Sequence, residues 1–148
     1  CNLSVAQSEG TNALPKNIGF LATAGETLAI GDVVCVNNSG GAAKIYKADA
    51  NAAGKAFAIG TCQLAAAGDG SATVAACQNL VPVTFAAAPA AASIGSPVYL
   101  SETAGQGTLT QPTASGSTVF ILGYLYFANA VDTTCRITWQ PQFVSTIP

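Results

Sequence analysis

From Phe20 onward, short runs of β-branched and apolar residues alternate with clusters of Gly, Asn, Ser and Asp. Leu28-Ala29-Ile30 leads into a Gly31-Asp32 turn and an apolar run at 33–36. Asn37-Asn38-Ser39-Gly40-Gly41 breaks that run, and residues 43–47 resume it. Further runs fall at 56–64, 72–76, 80–85, 98–101, 108–111, 119–127 and 134–139. Runs of this length, punctuated at close intervals by turn residues, predict the strands of an all-β sandwich or barrel. Helix is predicted to be minor. The Ala-rich stretch 86–92 is interrupted by Pro89 and the stretch 48–53 ends at Gly54, so each has room for one or two turns at most. Residues 1–17 are polar, punctuated by Gly10 and Pro15, and carry no helix-period stripe. They read as an extended N-terminal arm ahead of a single β domain at 18–148.

The apolar pattern repeats. Ile30-Gly31-Asp32-Val33-Val34-Cys35-Val36 reappears as Ile94-Gly95-Ser96-Pro97-Val98-Tyr99-Leu100, 64 residues later. Phe57-Ala58-Ile59-Gly60-Thr61-Cys62-Gln63-Leu64 has its counterpart in Phe120-Ile121-Leu122-Gly123-Tyr124-Leu125-Tyr126-Phe127, offset by 63. Two matched segments at a nearly constant offset predict two similar halves, at about 28–66 and 92–129. The unit is too long for a solenoid and suits two halves of one closed barrel. Gly60 and Gly123 sit inside otherwise apolar runs, where glycine marks a bulge or sharp bend.

Composition changes the picture from fold to function. Only 8% of the 148 residues are charged, against 50% hydrophobic, and the formal net charge is −2. Five basic residues (Lys16, Lys44, Lys47, Lys55 and Arg136) are too few for the positive stripe that a phosphate backbone requires, so nucleic acid is not an expected partner. No run approaches the roughly 20 apolar residues that span a bilayer, and no membrane partner is expected. With 29 alanines, 15 glycines and few charges, the exterior must be neutral and must repel neighbours weakly, which favours assembly.

Candidate chemistry is sparse. The chain contains no His, the commonest general base and metal ligand. There is no G-x-S-x-G elbow, and Lys55 lacks the second glycine and the following Ser or Thr of a phosphate loop. The acids Glu9, Glu26, Asp32, Asp49, Asp69, Glu102 and Asp132 are scattered, and Asp32 reads as a turn residue before a strand. Gly68-Asp69-Gly70-Ser71 reads as a loop tip, and Lys44 with Lys47 as a solvated strand edge. Cys1, Cys35, Cys62, Cys77 and Cys135 form no C-x-x-C pair, and Cys35 and Cys62 lie in apolar runs as small buried hydrophobes. No cofactor, no metal and no enzymatic activity are expected. A first residue of Cys is compatible with lipid anchoring or with a processed chain. Tyr46, Tyr99, Tyr124, Tyr126 and Trp139 could line a sugar-binding face, but strand 119–127 is apolar on both faces, which suggests burial between layers or against a partner, and core packing is the favoured expectation.

The order of motifs resembles that of a known family. An apolar-Gly-Asp-x-Val strand, a Gly-rich turn, an Ala-rich loop and an Ala-x-Gly strand precede Gly95-Ser96-Pro97-Val98-Tyr99-Leu100. A Gly-x-Leu-Thr turn and an Ile-Leu-Gly strand follow. Across residues 20–130 this is similar to the small β-rich decoration (cement) proteins of tailed-phage capsids. The resemblance implies a compact, β-tulip-like barrel or sandwich and a homo-oligomer, with a trimer favoured. It also implies a place on the outer capsid surface of a virion, after synthesis in the host cytoplasm, with the major capsid protein as partner. On that reading the arm (Leu3, Val5, Leu14) and the C-terminal segment (Trp139, Phe143, Ile147) are the candidate partner-binding residues. A phage head-fibre or tail receptor-binding module, and a bacterial surface or lipid-anchored protein, are the alternatives. The polar arm, the five cysteines and the segment after Val131 depart from the family pattern.

Overall fold

Gly-, Asn- and Ala-rich turns cut the chain into strands mostly four or five residues long, too short to build a flat sheet with a core of its own. The computed structural model describes residues 19–38, 41–75 and 80–148, so the arm with Leu3, Val5 and Leu14 lies outside the described residues. The strands in the first part of the chain are β1 (Gly19–Thr23), β2 (Val33–Asn37), β3 (Lys44–Lys47), β4 (Gly60–Leu64) and β5 (Ser71–Ala75). Those in the second are β6 (Leu80–Thr84), β7 (Pro97–Leu100), β8 (Gly107–Thr108), β9 (Thr118–Phe127) and β10 (Thr134–Thr146). Among the described residues the one helical element is a 3-10 turn at Ala91–Ser93. The protein is all-β.

The two halves do not share one hydrogen-bonded wall. Each makes its own five-stranded antiparallel sheet, in the orders β1-β5-β4-β2-β3 and β6-β10-β9-β7-β8. Taken strand for strand, the two orders are the same. So is the register: Thr23↔Ser71 matches Thr84↔Thr134, Val34↔Gly60 matches Val98↔Gly123, and Cys62↔Val74 matches Leu125↔Ile137. A β-bulge recurs as well, with Leu64↔Thr73 following Cys62↔Val74 and Phe127↔Arg136 following Leu125↔Ile137. An extra residue increases local twist, and a repeated bulge gives both sheets the same curl. Each curls until its outer strands meet at one parallel bridge, Ala24↔Ile45 in the first half and Phe85↔Gly107 in the second.

The bridges show how two sequences fill one shape. The first half closes with Ala22, Ala24 and Ile45 where the second has Val83, Phe85 and Gly107. A Cβ on Gly107 would lie 2.6 Å from Val83 Cγ1 and 3.0 Å from Val98 Cγ1, so the room given to Ile45 is here taken by larger neighbours. One core lies inside the first sheet (Leu28, Val34, Ile45, Cys62, Ala72, Val74). A larger one joins the second sheet to the back of β2 through Val33, Cys35, Val83, Phe85, Leu122 and Ile137. The joint is tied by backbone bonds, among them Val33 N–H to Gly105 O (2.8 Å), Gly105 N–H to Ala48 O (2.8 Å) and Thr118 N–H to Ala50 O (2.7 Å).

Several expected strands differ in extent. Leu28 makes only a bridge to Ala66, and residues 56–59 run without strand pairing into β4. The run 108–111 contributes only its first residue to β8. In the other direction, β10 continues to Thr146. Its extension pairs with the start of β9 (Gln142↔Ile121, Phe143↔Phe120, Thr146↔Thr118), and a bulge lies between Trp139 and Gln142. Gly123 sits opposite Trp139 at the start of that bulge; a Cβ there would be 1.6 Å from the Thr138 carbonyl oxygen. The expectation that glycine marks a bend inside this strand is met at Gly123.

Two outcomes follow. Gly123→Ala forces the β9–β10 pair apart and costs about 3 kcal/mol or more, the upper end of overpacking penalties, readable as a fall in the denaturation midpoint. Phe85→Ala costs about 3–5 kcal/mol as a large-to-small core change. Adding Val83→Ala and Gly107→Ile, which rebuilds the first half's closure, recovers part of that loss in the same measurement.

Candidate functional site

The acidic side chains are committed to structure. Asp32 is buried in the turn before β2, where Oδ2 accepts the Ala29 N–H (2.8 Å) and faces Lys47 Nζ at 3.6 Å. Glu26 Oε1 accepts the Lys47 N–H (2.8 Å), completing the open edge of β3. Glu102 Oε1 takes the Ser117 hydroxyl (2.7 Å) and the Ala114 N–H (3.2 Å), clamping one loop to another. Asp49 accepts from Asn51 N–H, Asp132 from Asn129 Nδ2, and Asp69 pairs with Lys44, whose pKa is raised by that hydrogen bond. All six carboxylates in the described region therefore have structural partners, and Asp32 is the turn residue its sequence position suggested. Lys44 and Lys47 are ion-paired as well as edge-placed. Among the described residues no three His, Cys, Asp or Glu side chains converge as metal ligands. None of the helices there is long and apolar enough to cross a membrane.

The thiols are similarly withdrawn. Cys35 and Cys62 are free and buried, as their apolar runs suggested, and Cys135 is free and buried as well. Burial raises the pKa of each, that of Cys35 to about 11. A neutral, enclosed thiol is a poor nucleophile.

The concavities follow from the duplication. In the first half the Tyr46 ring lies over Gly25, where a Cβ would sit 2.1 Å from its Cζ, and Lys55 Nζ is 4.8 Å from the ring centroid. The β8 counterpart of Tyr46 is Thr108, and the residue after the bridge is Ala86. Loss of the ring leaves a groove of about 330 Å³ between residues 85–89 and 107–109. A smaller hollow of about 260 Å³ adjoins it through Ser101 and Thr108 and is lined by Glu102, Thr103, Thr110, Gln111, Pro112 and Thr113. Its one carboxylate is the Glu102 already held by Ser117.

What the surface offers is apolar contact. On β9, Tyr124, Tyr126 (59% exposed) and Phe127 face solvent, which corrects the expectation of core packing for this strand: only its first part and Leu125 are buried. Val131 (78% exposed) and Ile94 are also uncovered. A second patch lies on the β9–β10 extension. Phe57 stacks on Phe143 (centroids 5.8 Å apart) and meets Phe120 edge-on at 6.3 Å, with Val144 half exposed beside Phe143 in sequence. Of the residues singled out in the C-terminal segment, Trp139 packs against the main core and Phe143 is half exposed. Ile147 is held by its backbone to Ser117 and Gly116. Sequence reasoning missed Phe57, which a strand assignment at 56–64 hid; its partnership with Phe143 depends on pairing across more than eighty residues.

No protein-family model, curated protein or solved structure matches the chain.

The buried thiols predict a pH response. In the unfolded chain Cys35 ionises near pH 9.0, while in the folded chain it stays neutral until about 11. The unfolded state therefore releases its protons first, and stability, full below pH 9, falls as pH rises toward 11. Urea melts across that interval show the fall, and Cys35→Ala reduces it, leaving the contribution of Cys62 and Cys135. At pH 8 the native chain leaves all three thiols unlabelled by a maleimide, which labels them once urea unfolds it.

Proposed function

We propose that this protein is a non-enzymatic structural component of a virion, a homo-oligomeric decoration protein that binds the outer surface of a phage capsid and stabilises the lattice. One observation carries the reading: every described carboxylate is engaged in holding turns and loops, while large aromatic and aliphatic side chains stand at a nearly uncharged surface. Such a surface is built for contact. The motif order of residues 20–130 supports the decoration-protein reading in particular, with the major capsid protein as partner.

The mechanism needs no reaction. A rigid body that binds assembled capsomers but not their separated subunits stabilises the lattice by mass action, by about 2.7 kcal/mol per site when its concentration is 100 times its Kd. The Phe57–Phe143–Val144 patch is the face we assign to the capsid, because its two rings are already stacked and Phe143 is carried on a paired ribbon, so little side-chain entropy is lost on docking.

Purified protein added to expanded, undecorated heads should bind them in a fixed ratio and raise their rupture temperature. Phe143→Ser with Val144→Ser should weaken that binding at least tenfold. Unchanged rupture with no bound protein removes the capsid reading, and binding to host cells instead favours the receptor-binding module.

A further inference from the structure

The two halves of the chain meet head to tail, and that arrangement leaves one copy of each contacting face unused. The first half presents the Ile30-Gly31 turn and the adjoining residues of β2 and β4. The second half presents the end of β6 and the start of β10. Gly31 O accepts the Thr84 N–H (3.0 Å), Ile30 O accepts the Thr84 hydroxyl (3.5 Å), and a Cβ on Gly31 would meet Thr84 Oγ1 at 2.5 Å and Thr134 Cγ2 at 3.1 Å. Thr61 on β4, next to Val33 in the register, is fully buried.

The same turn in the second half has the same backbone. Gly95 adopts the φ of +90° seen at Gly31, and its N–H bonds Leu125 O as that of Gly31 bonds Cys62 O. Yet among the described residues nothing lies within 4 Å of where its Cβ would be, and Tyr124, the counterpart of the buried Thr61, is 41% exposed, while Ile94 is exposed as Ile30 is. At the other end, Thr23 and Ser71 are the counterparts of Thr84 and Thr134, and both are exposed. Leu21 is 73% exposed where its counterpart Pro82 is buried. Among the described residues the chain thus ends in an open socket on the second half and an open plug on the first.

We propose that a second copy of this chain completes the series, its β1 edge (Leu21, Thr23, Ser71) docking on the Ile94-Gly95 turn and the β9 aromatics of the first. The differences between the two sockets fit this occupant. Inside one chain the contact is held by the covalent connection, so a high effective concentration lets small or polar residues suffice. Between chains it must supply its own affinity, and there Thr61 and Gln63 are replaced by Tyr124 and Tyr126. Aromatic anchors are what free interfaces use. A contact of this type is heterologous: one copy's socket takes another's plug, and successive copies form a ring if the rotation closes. The inference concerns contacts between copies and stands whether or not a capsid is the outer partner.

The test uses purified chains alone. Sedimentation of the wild type should show association, with a defined closed species at high concentration. Tyr124→Ser with Tyr126→Ser (socket impaired) and Leu21→Asp with Thr23→Asp (plug impaired) should each weaken association at least about 100-fold. Unchanged circular dichroism would establish that the fold is kept. Mixed one to one, the two variants should form dimers and stop there, because one intact plug and one intact socket remain. A wild type that stays monomeric at several hundred micromolar overturns the proposal. So do variants that assemble like wild type, and so does a mixture that fails to associate.

Discussion

A sheet of five short strands encloses a core only if it curls far enough for its outer strands to touch. That constraint governs this molecule. The bulge that lets Leu64 and Phe127 pair one residue out of step supplies extra twist in each half, and the bridges Ala24↔Ile45 and Phe85↔Gly107 record where the curl ends. Because closure fixes the interior volume, the side chains at the seam must sum to the same bulk. A small residue facing Ile45 in one half and a phenylalanine facing glycine in the other are two solutions to one packing problem. Register, bulge and seam are therefore a single device, used twice.

The device explains where the few charges go. Two curled bodies expose loops to one another, and backbone groups in those loops must be satisfied as they leave water. Asp32 does this for Ala29 at the turn entering β2, with Lys47 beside it, and Gly105 passes close by at a φ of +79°, where a Cβ would crowd Asp32 Oδ1 at 3.1 Å. Glu102 performs the same service for Ala114 and Ser117. Carboxylates spent on holding loops are not free for chemistry, even where one of them, Glu102, lines a hollow. The scarcity of charge in the sequence and the shortage of polar chemistry at the surface are one fact seen at two levels.

Much of this was legible before any coordinates. The Ile-Gly turns at 30–31 and 94–95 and the glycine-centred runs around Gly60 and Gly123 exposed the duplication because turns and bulges constrain residue type tightly. The fold class followed. The equivalence of β1 with β6 was invisible, since Gly-Phe-Leu-Ala-Thr and Leu-Val-Pro-Val-Thr share only a final threonine and match by register alone. The length of β10 was hidden by Pro141 and by polar residues that a ribbon paired to β9 tolerates. The exposure of Tyr124 and Tyr126 could not be read at all. An apolar strand looks the same in sequence whether its outer face is covered by its own chain or left for another, and burial is decided by which half lies next to it.

That ambiguity carries the functional argument further than any motif does. A duplicated unit that meets its twin head to tail has, by construction, one satisfied joint and two unsatisfied ends. A solitary protein would be expected to make both ends polar, because an exposed apolar patch on a nearly uncharged molecule invites indiscriminate association. Here the ends have not been made polar. Ile94, Tyr124, Tyr126 and Phe127 stand at one and Phe20 and Leu21 at the other. Aromatic side chains held at an open joint, on a framework whose acids are already engaged, are the feature on which the proposed contact between copies rests.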